Sequence, residues 1–226
     1  MASGVRVLPL RDRESRRQLE RIARDARPTA LAAARKLAVA EPIGALLPDG
    51  GIRRGSVVTL AGPTGTTSVL LRLVAAATAA GEWAGVVEPD GSLGGTAAAE
   101  AGVALDRCAI VRPVPAARWA AVVAALLDGT ALVAAWVPPG VRVGDARRLA
   151  ARARERGSVL VAVESVPGVR TAPWPAEAAL RLTVQSAPWP GLARGDGLLG
   201  ARELQLRVAG RGAAREGLVG ALAAAG

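Results

Sequence analysis

No histidine, phenylalanine or tyrosine occurs in the 226 residues, and lysine occurs once, at Lys36. Without histidine there is no Ser-His-Asp or Cys-His catalytic arrangement and no imidazole metal site. Cys108 is the only cysteine, which excludes an intrachain disulfide and a Cys-based structural zinc. It precedes the apolar pair Ala109-Ile110 and reads as a buried small hydrophobe rather than a reactive thiol. All aromatic content lies in five tryptophans. Long apolar runs are lacking too: the Ala-rich stretches are broken by Arg, Asp, Gly or Pro, so no membrane span is expected. The first residues lack a signal-peptide layout, since charge continues to Lys36. A soluble, cytoplasmic protein is the expectation, nucleoid-associated when in complex.

What the chain does hold is apolar mass and arginine. Hydrophobic residues make up 51% and mean hydropathy is +0.29, enough for the core of an α/β domain. Of 29 basic residues all but Lys36 are arginine, and the net charge is +10. That balance favours acidic partners: nucleic acid, an acidic protein segment or an anionic surface. Residues 1–40 carry ten basic against four acidic residues, +6 of the +10. There Ser15 and Gln18 have capping-box spacing, and Leu19, Ile22, Ala23 and Ala26 follow at helical intervals. Pro28 breaks that helix, and Thr29 can cap a second one to about Ala40. Residues 1–40 are expected to be a basic helical arm.

From Ile43 strands and helices alternate. Pro48 to Gly51 is turn chemistry. Strands are expected at Ser56–Ala61, Ala84–Glu88, Cys108–Val111, Ala131–Val137 and Ser158–Val163. Helices are expected at Thr66–Ala80, Ala97–Gly102, Arg118–Leu127 and from a cap at Asp145 to Arg156. That rhythm implies a mainly parallel sheet with right-handed crossovers and helices on both faces. Leu180–Val184 and Glu203–Val208 read as a hairpin at a sheet edge, and Ala213–Ala225 as a terminal helix. The boundaries drawn are 41–185 for the core and 186–226 for a C-terminal strand, loop and helix.

Strand, Gly-rich turn and helix over residues 56–80 is the setting of a phosphate-binding loop. The text is Gly62-Pro63-Thr64-Gly65-Thr66-Thr67-Ser68. Counted from Gly62, the second glycine and the lysine of such a loop fall on Thr67 and Ser68; anchored on Gly65, the lysine falls on Thr66. No alignment restores the lysine that reaches the β- and γ-phosphates. Arg72 lies further down the helix. The strand that would end in a magnesium-positioning acid reads Ala131-Leu132-Val133-Ala134-Ala135-Trp136-Val137, with none. Gly62, Gly65, Thr66 and Thr67 are therefore a vestigial phosphate loop, and no cofactor, metal or catalytic residue is expected.

At these residues Leu46 to Val184 resembles the core of the RecA superfamily. Gly51-Ile52-Arg53-Arg54-Gly55-Ser56-Val57-Val58 is similar to that family's lead-in to its first core strand. Gly62-Pro63 matches the start of its Walker A loop. Ala75-Ala76-Ala77 with Gly81 resembles the end of the next helix, and Glu88-Pro89-Asp90 lies where the family has its catalytic carboxylate. Glu164-Ser165 stands at its polar strand end. Its DNA-binding loops and its filament-forming N-terminal strand and helix have no match. The resemblance implies an α/β, RecA-like, parallel-rich sheet flanked by helices on both faces, with a degenerate nucleotide-binding loop.

Among degenerate RecA-like proteins the chain most resembles ImuA and the actinobacterial ImuA-prime type, small, basic and Ala/Arg-rich. That resemblance implies a non-catalytic accessory factor of DNA-damage-induced translesion synthesis. Its implied partners are an ImuB-like Y-family polymerase homologue and an error-prone C-family DNA polymerase, with nonspecific DNA contact as a further possibility and no membrane. The rivals are a SulA-like cell-division inhibitor that binds FtsZ and a residual RecA-like ATPase.

Trp174 and Trp189 each sit in an Ala-Pro-Trp-Pro segment. Proline on both sides restricts such a loop, so each ring either forms a lid on its own domain or anchors a partner. Trp136 and Trp83 are expected in the core, Trp136 filling the vacated phosphate and metal space, and Trp119 in helix packing. Arg147, Arg148, Arg152 and Arg156 share one helix with Glu155 as the only nearby acid, and can either contact DNA phosphates or form a solvated face. Glu88 and Asp90 read as a strand-closing turn rather than an acid pair.

Overall fold

The computed structural model describes residues 35–89, 91, 93–164, 168, 171–185, 202–210 and 213–222. By its internal packing Lys36–Gly226 is one unit and Met1–Arg35 another; the expected arm lies almost wholly outside the described residues, as do Asp90 and Trp189. The strands are β1 (Lys36–Ala38), β2 (Gly51–Arg53), β3 (Val57–Ala61), β4 (Ala84–Val87), β5 (Cys108–Val111), β6 (Leu132–Trp136), β7 (Val159–Val163), β8 (Leu180–Gln185), β9 (Arg202–Gly210) and β10 (Ala213–Leu222). The helices are α1 (Ile43–Leu46), α2 (Thr66–Ala79), α3 (Gly95–Glu100), α4 (Ala116–Gly129) and α5 (Val143–Arg156).

Eight strands form one sheet in the order β10-β9-β8-β3-β7-β6-β4-β5. Strands β3 to β8 run parallel; β9 is antiparallel to β8, and β10 to β9. Side chains alternate between the faces of a strand, and the sequence uses both. On one face Val58, Leu60, Leu132, Ala134, Val161 and Val163 pack with Leu70, Leu73 and Val74 of α2. On the other, Val57, Val133, Ala135, Leu160 and Ala162 meet Trp119, Val123 and Leu127 of α4 and Ala146, Leu149 and Ala153 of α5. Burial on both faces explains why these strands read as continuous apolar runs. Each fully buried Val or Leu contributes about 1.5–3 kcal/mol.

Four sequence expectations fail. The end of the expected helix to about Ala40 is instead β1, which pairs with β2 through Leu37 and Ile52. Leu37 and Val39 are buried while Ala38 is exposed, a period of two that outweighs the alanine content. The terminal helix is instead β10, paired along β9. Gly217 and Gly220 each cost about 1 kcal/mol in a helix interior, and the edge of β9 supplies backbone hydrogen bonds instead. The hairpin β8–β9 forms, but β10 and not β9 is the outer strand. Asp145 is not a cap: α5 starts at Val143 after Arg142, and Asp145 lies in its first turn.

Candidate functional site: the phosphate-loop position

The loop Gly62–Gly65 joins the carboxyl end of β3 to α2 at the central strand of the sheet. Gly62 is buried, and a Cβ there would stand 2.5 Å from the carbonyl oxygen of Val184 in β8. Only glycine fits that approach. Gly65 has φ of +79° and precedes the first residue of α2. A Cβ on Gly65 would lie 2.6 Å and 2.7 Å from the two methyl carbons of Leu204 in β9. Leu204, 1% exposed, belongs to the core on the α2 face. A branched apolar side chain therefore rests against the glycine that opens the helix.

Thr66, 3% exposed, donates its hydroxyl hydrogen to the Gly62 carbonyl at 3.1 Å. The residue at the position of the loop lysine thus has its hydroxyl bonded across the loop and brings no cation there. Thr67 is exposed. Arg72 lies six residues into α2, about 9 Å of helix from Thr66, and its buried Nε has no hydrogen-bond partner among the described residues. Lys36 donates to the Asp49 carbonyl, closing the turn after α1. Among the described residues no group of three His, Cys, Asp or Glu side chains converges as a metal would need.

The other strand ends are also committed. Trp136, 6% exposed, closes β6 on the α2 face. Glu88, 1% exposed, follows β4; it takes a 2.7 Å hydrogen bond from Arg112 and a 3.3 Å bond from the Leu93 N–H. Val87 and Val111 are register partners, so Glu88 and Arg112 stand side by side just beyond two parallel neighbours. The carboxylate ties two strand ends together. Glu164, after β7, accepts the Trp174 N–H at 2.5 Å.

Trp174 is not offered to a partner. It is 7% exposed and packed in the core beneath α4 and α5. The segment around it runs back along that face, pinned by Ala172 to the Val137 carbonyl and by Ala179 to the Val57 carbonyl, both at 2.8 Å. Trp119 is buried in the same core, as expected of a helix-packing residue. Trp83 departs from expectation in the opposite sense: it is 49% exposed. It precedes β4, and its backbone carbonyl accepts the Ala131 N–H at 2.9 Å.

The arginine row on α5 is partly neutralised. Asp128, at the end of α4, bonds Arg152 through both carboxylate oxygens at 2.8 and 2.5 Å, and also Arg156 at 3.0 Å. Arg148 pairs with Asp145 at 3.3 Å. Arg147 is exposed. The hydrogen bonds from Arg152, then the charges of both guanidiniums, hold Asp128 below the usual carboxylate range. Residues counted along the helix alone had left this acid out, because it comes from the neighbouring helix. Leu204 was missed for the same reason: nothing local to Gly65 points to a strand about 140 residues later. Burial of Cys108 raises its thiol above its ordinary value.

The order of strands, the loop and the helices on both faces define an α/β protein of RecA-like fold, with a core leucine packed on the glycine that opens α2. The chain matches the family model described as the MT3502 N-terminal domain over residues 45–168, more than half its length, and belongs to that family. Its fold is similar to the crystal structure of the RadB recombinase, with TM-score 0.57 and 15% identity over 79% of this chain and 92% of that one. No curated protein matches the chain. No described helix is long and apolar enough to cross a membrane.

Proposed function

We propose that this protein is a RecA-like binding protein that works without nucleotide hydrolysis, as an accessory factor of a damage-induced translesion-synthesis complex. The carrying observation is Leu204 packed on Gly65, beside a Thr66 hydroxyl already bonded across the loop. A phosphate needs open N–H groups and a cation at that position. The ImuA-like resemblance supplies the partners: an ImuB-like Y-family polymerase homologue and an error-prone C-family polymerase, with nonspecific DNA contact.

Capture of purified ImuB-like protein, at low and high salt and with and without ATP-magnesium, tests this reading. Salt-resistant capture that ignores ATP is expected. Failure to capture at either salt, or capture of FtsZ instead, overturns it. ATP-magnesium is expected to leave the melting temperature unchanged, because a ligand bound only by the folded state would raise it.

A further inference from the structure

At the amino ends of the parallel strands, opposite the loop end, the chain leaves a depression of about 340 Å³. The exposed Trp83 lines it, together with the charged side chains of Arg54, Glu82, Asp128 and Arg156. Arg54 is bonded to Glu82 through both terminal nitrogens, and Asp128 is bonded by Arg152 through both oxygens. Each carboxylate thus has its own guanidinium. Arg156 shares Asp128 with Arg152. It reaches Asp128 through Nε alone, and its two Nη groups make no hydrogen bond among the described residues. Its side chain is 47% exposed.

We propose that this depression docks a segment of a partner protein in which an apolar side chain, laid on Trp83, neighbours a carboxylate held by the Arg156 Nη groups. A large exposed indole set in a polar rim is the composition of an interface anchor. An open guanidinium edge receives a carboxylate in two parallel hydrogen bonds. One open guanidinium edge suits one carboxylate. It does not suit a nucleic-acid backbone, whose successive phosphates would meet Glu82 and Asp128. The inference rests on the reading that the protein acts by binding proteins, and not on the identity of the polymerase-like partner.

The test is selection of displayed random dodecapeptides on the full-length protein, with short oligothymidylate as a second probe. Enriched peptides are expected to share an apolar residue beside Asp or Glu. Trp83→Ala and Arg156→Glu are each expected to weaken them at least about tenfold, whereas Trp83→Phe retains them. Arg147→Ala is expected to change nothing. Both altered side chains are half exposed, so melting temperatures should stay close to wild type and certify folding. The site is overturned if no peptide is enriched, if enriched peptides ignore both substitutions, or if oligothymidylate is the ligand whose binding they abolish. Capture of ImuB-like protein unaffected by both variants, with no peptide enriched, would sink the site and leave the adaptor reading standing. Peptide binding that depends on Trp83, without such capture, would do the reverse.

Discussion

Leu204 and Gly65 make the clearest case at the scale of single residues. Leu204→Ala empties a fully buried position, and such truncations cost about 2–5 kcal/mol. Gly65→Ala forces a Cβ into left-handed backbone, about 1–2 kcal/mol, and drives it into the Leu204 methyls. The double variant should lose less than the sum, because removing the isobutyl group vacates the space the new methyl needs. Urea unfolding of the four proteins checks this; strict additivity would mean that Leu204 does not rest on the loop. Cys108 gives a second residue-scale prediction. Burial raises its thiol, so less thiolate is present at neutral pH and alkylation by iodoacetamide should be slower than for an open cysteine. Alkylation as fast as that of a small free thiol at the same pH would contradict it.

Elements were legible where one segment carried its own signal. β3, α2, β4 and β6 fall within a few residues of expectation, because runs buried on both faces and a glycine turn are local facts. β1 and β10 were not legible, because alanine-rich composition names no element until a neighbouring strand offers hydrogen bonds. The site divides in the same way. The loss of the loop lysine is visible in the sequence, whereas Leu204 on Gly65 and Asp128 between two arginines exist only after folding. The link between α4 and α5 is testable by pH. The folded-state value of Asp128 lies below its ordinary one, so its stabilising contribution is present above the unfolded value, near pH 4. It is lost as pH falls through the folded value. The gap in urea midpoint between wild type and Asp128→Asn should therefore be small, constant from neutrality to about pH 5, and should close in stronger acid. It should also shrink in about 1 M salt, since the pair is exposed. A gap that persists in strong acid would contradict the ion-pair account.

At the scale of the whole molecule, the distribution of charge decides where a polyanion can sit. In the described core Arg54, Arg112, Arg148, Arg152 and Arg156 all face an acid. The largest unbalanced share of the +10 belongs to the first forty residues, at +6. Nonspecific DNA affinity arises from phosphates neutralised by unpaired cations and the counterions they release. The affinity for duplex DNA should therefore fall steeply with salt, and removing residues 1–34 should flatten that slope more than Arg147→Ala with Arg148→Ala does. Circular dichroism would confirm that the sheet survives the removal. Fluorescence anisotropy across a salt series reads both effects. If the helix variants flatten the slope and the truncation does not, the α5 arginines rather than the leading segment carry the DNA contact, and the neutralisation by Asp128 and Asp145 does not hold in solution.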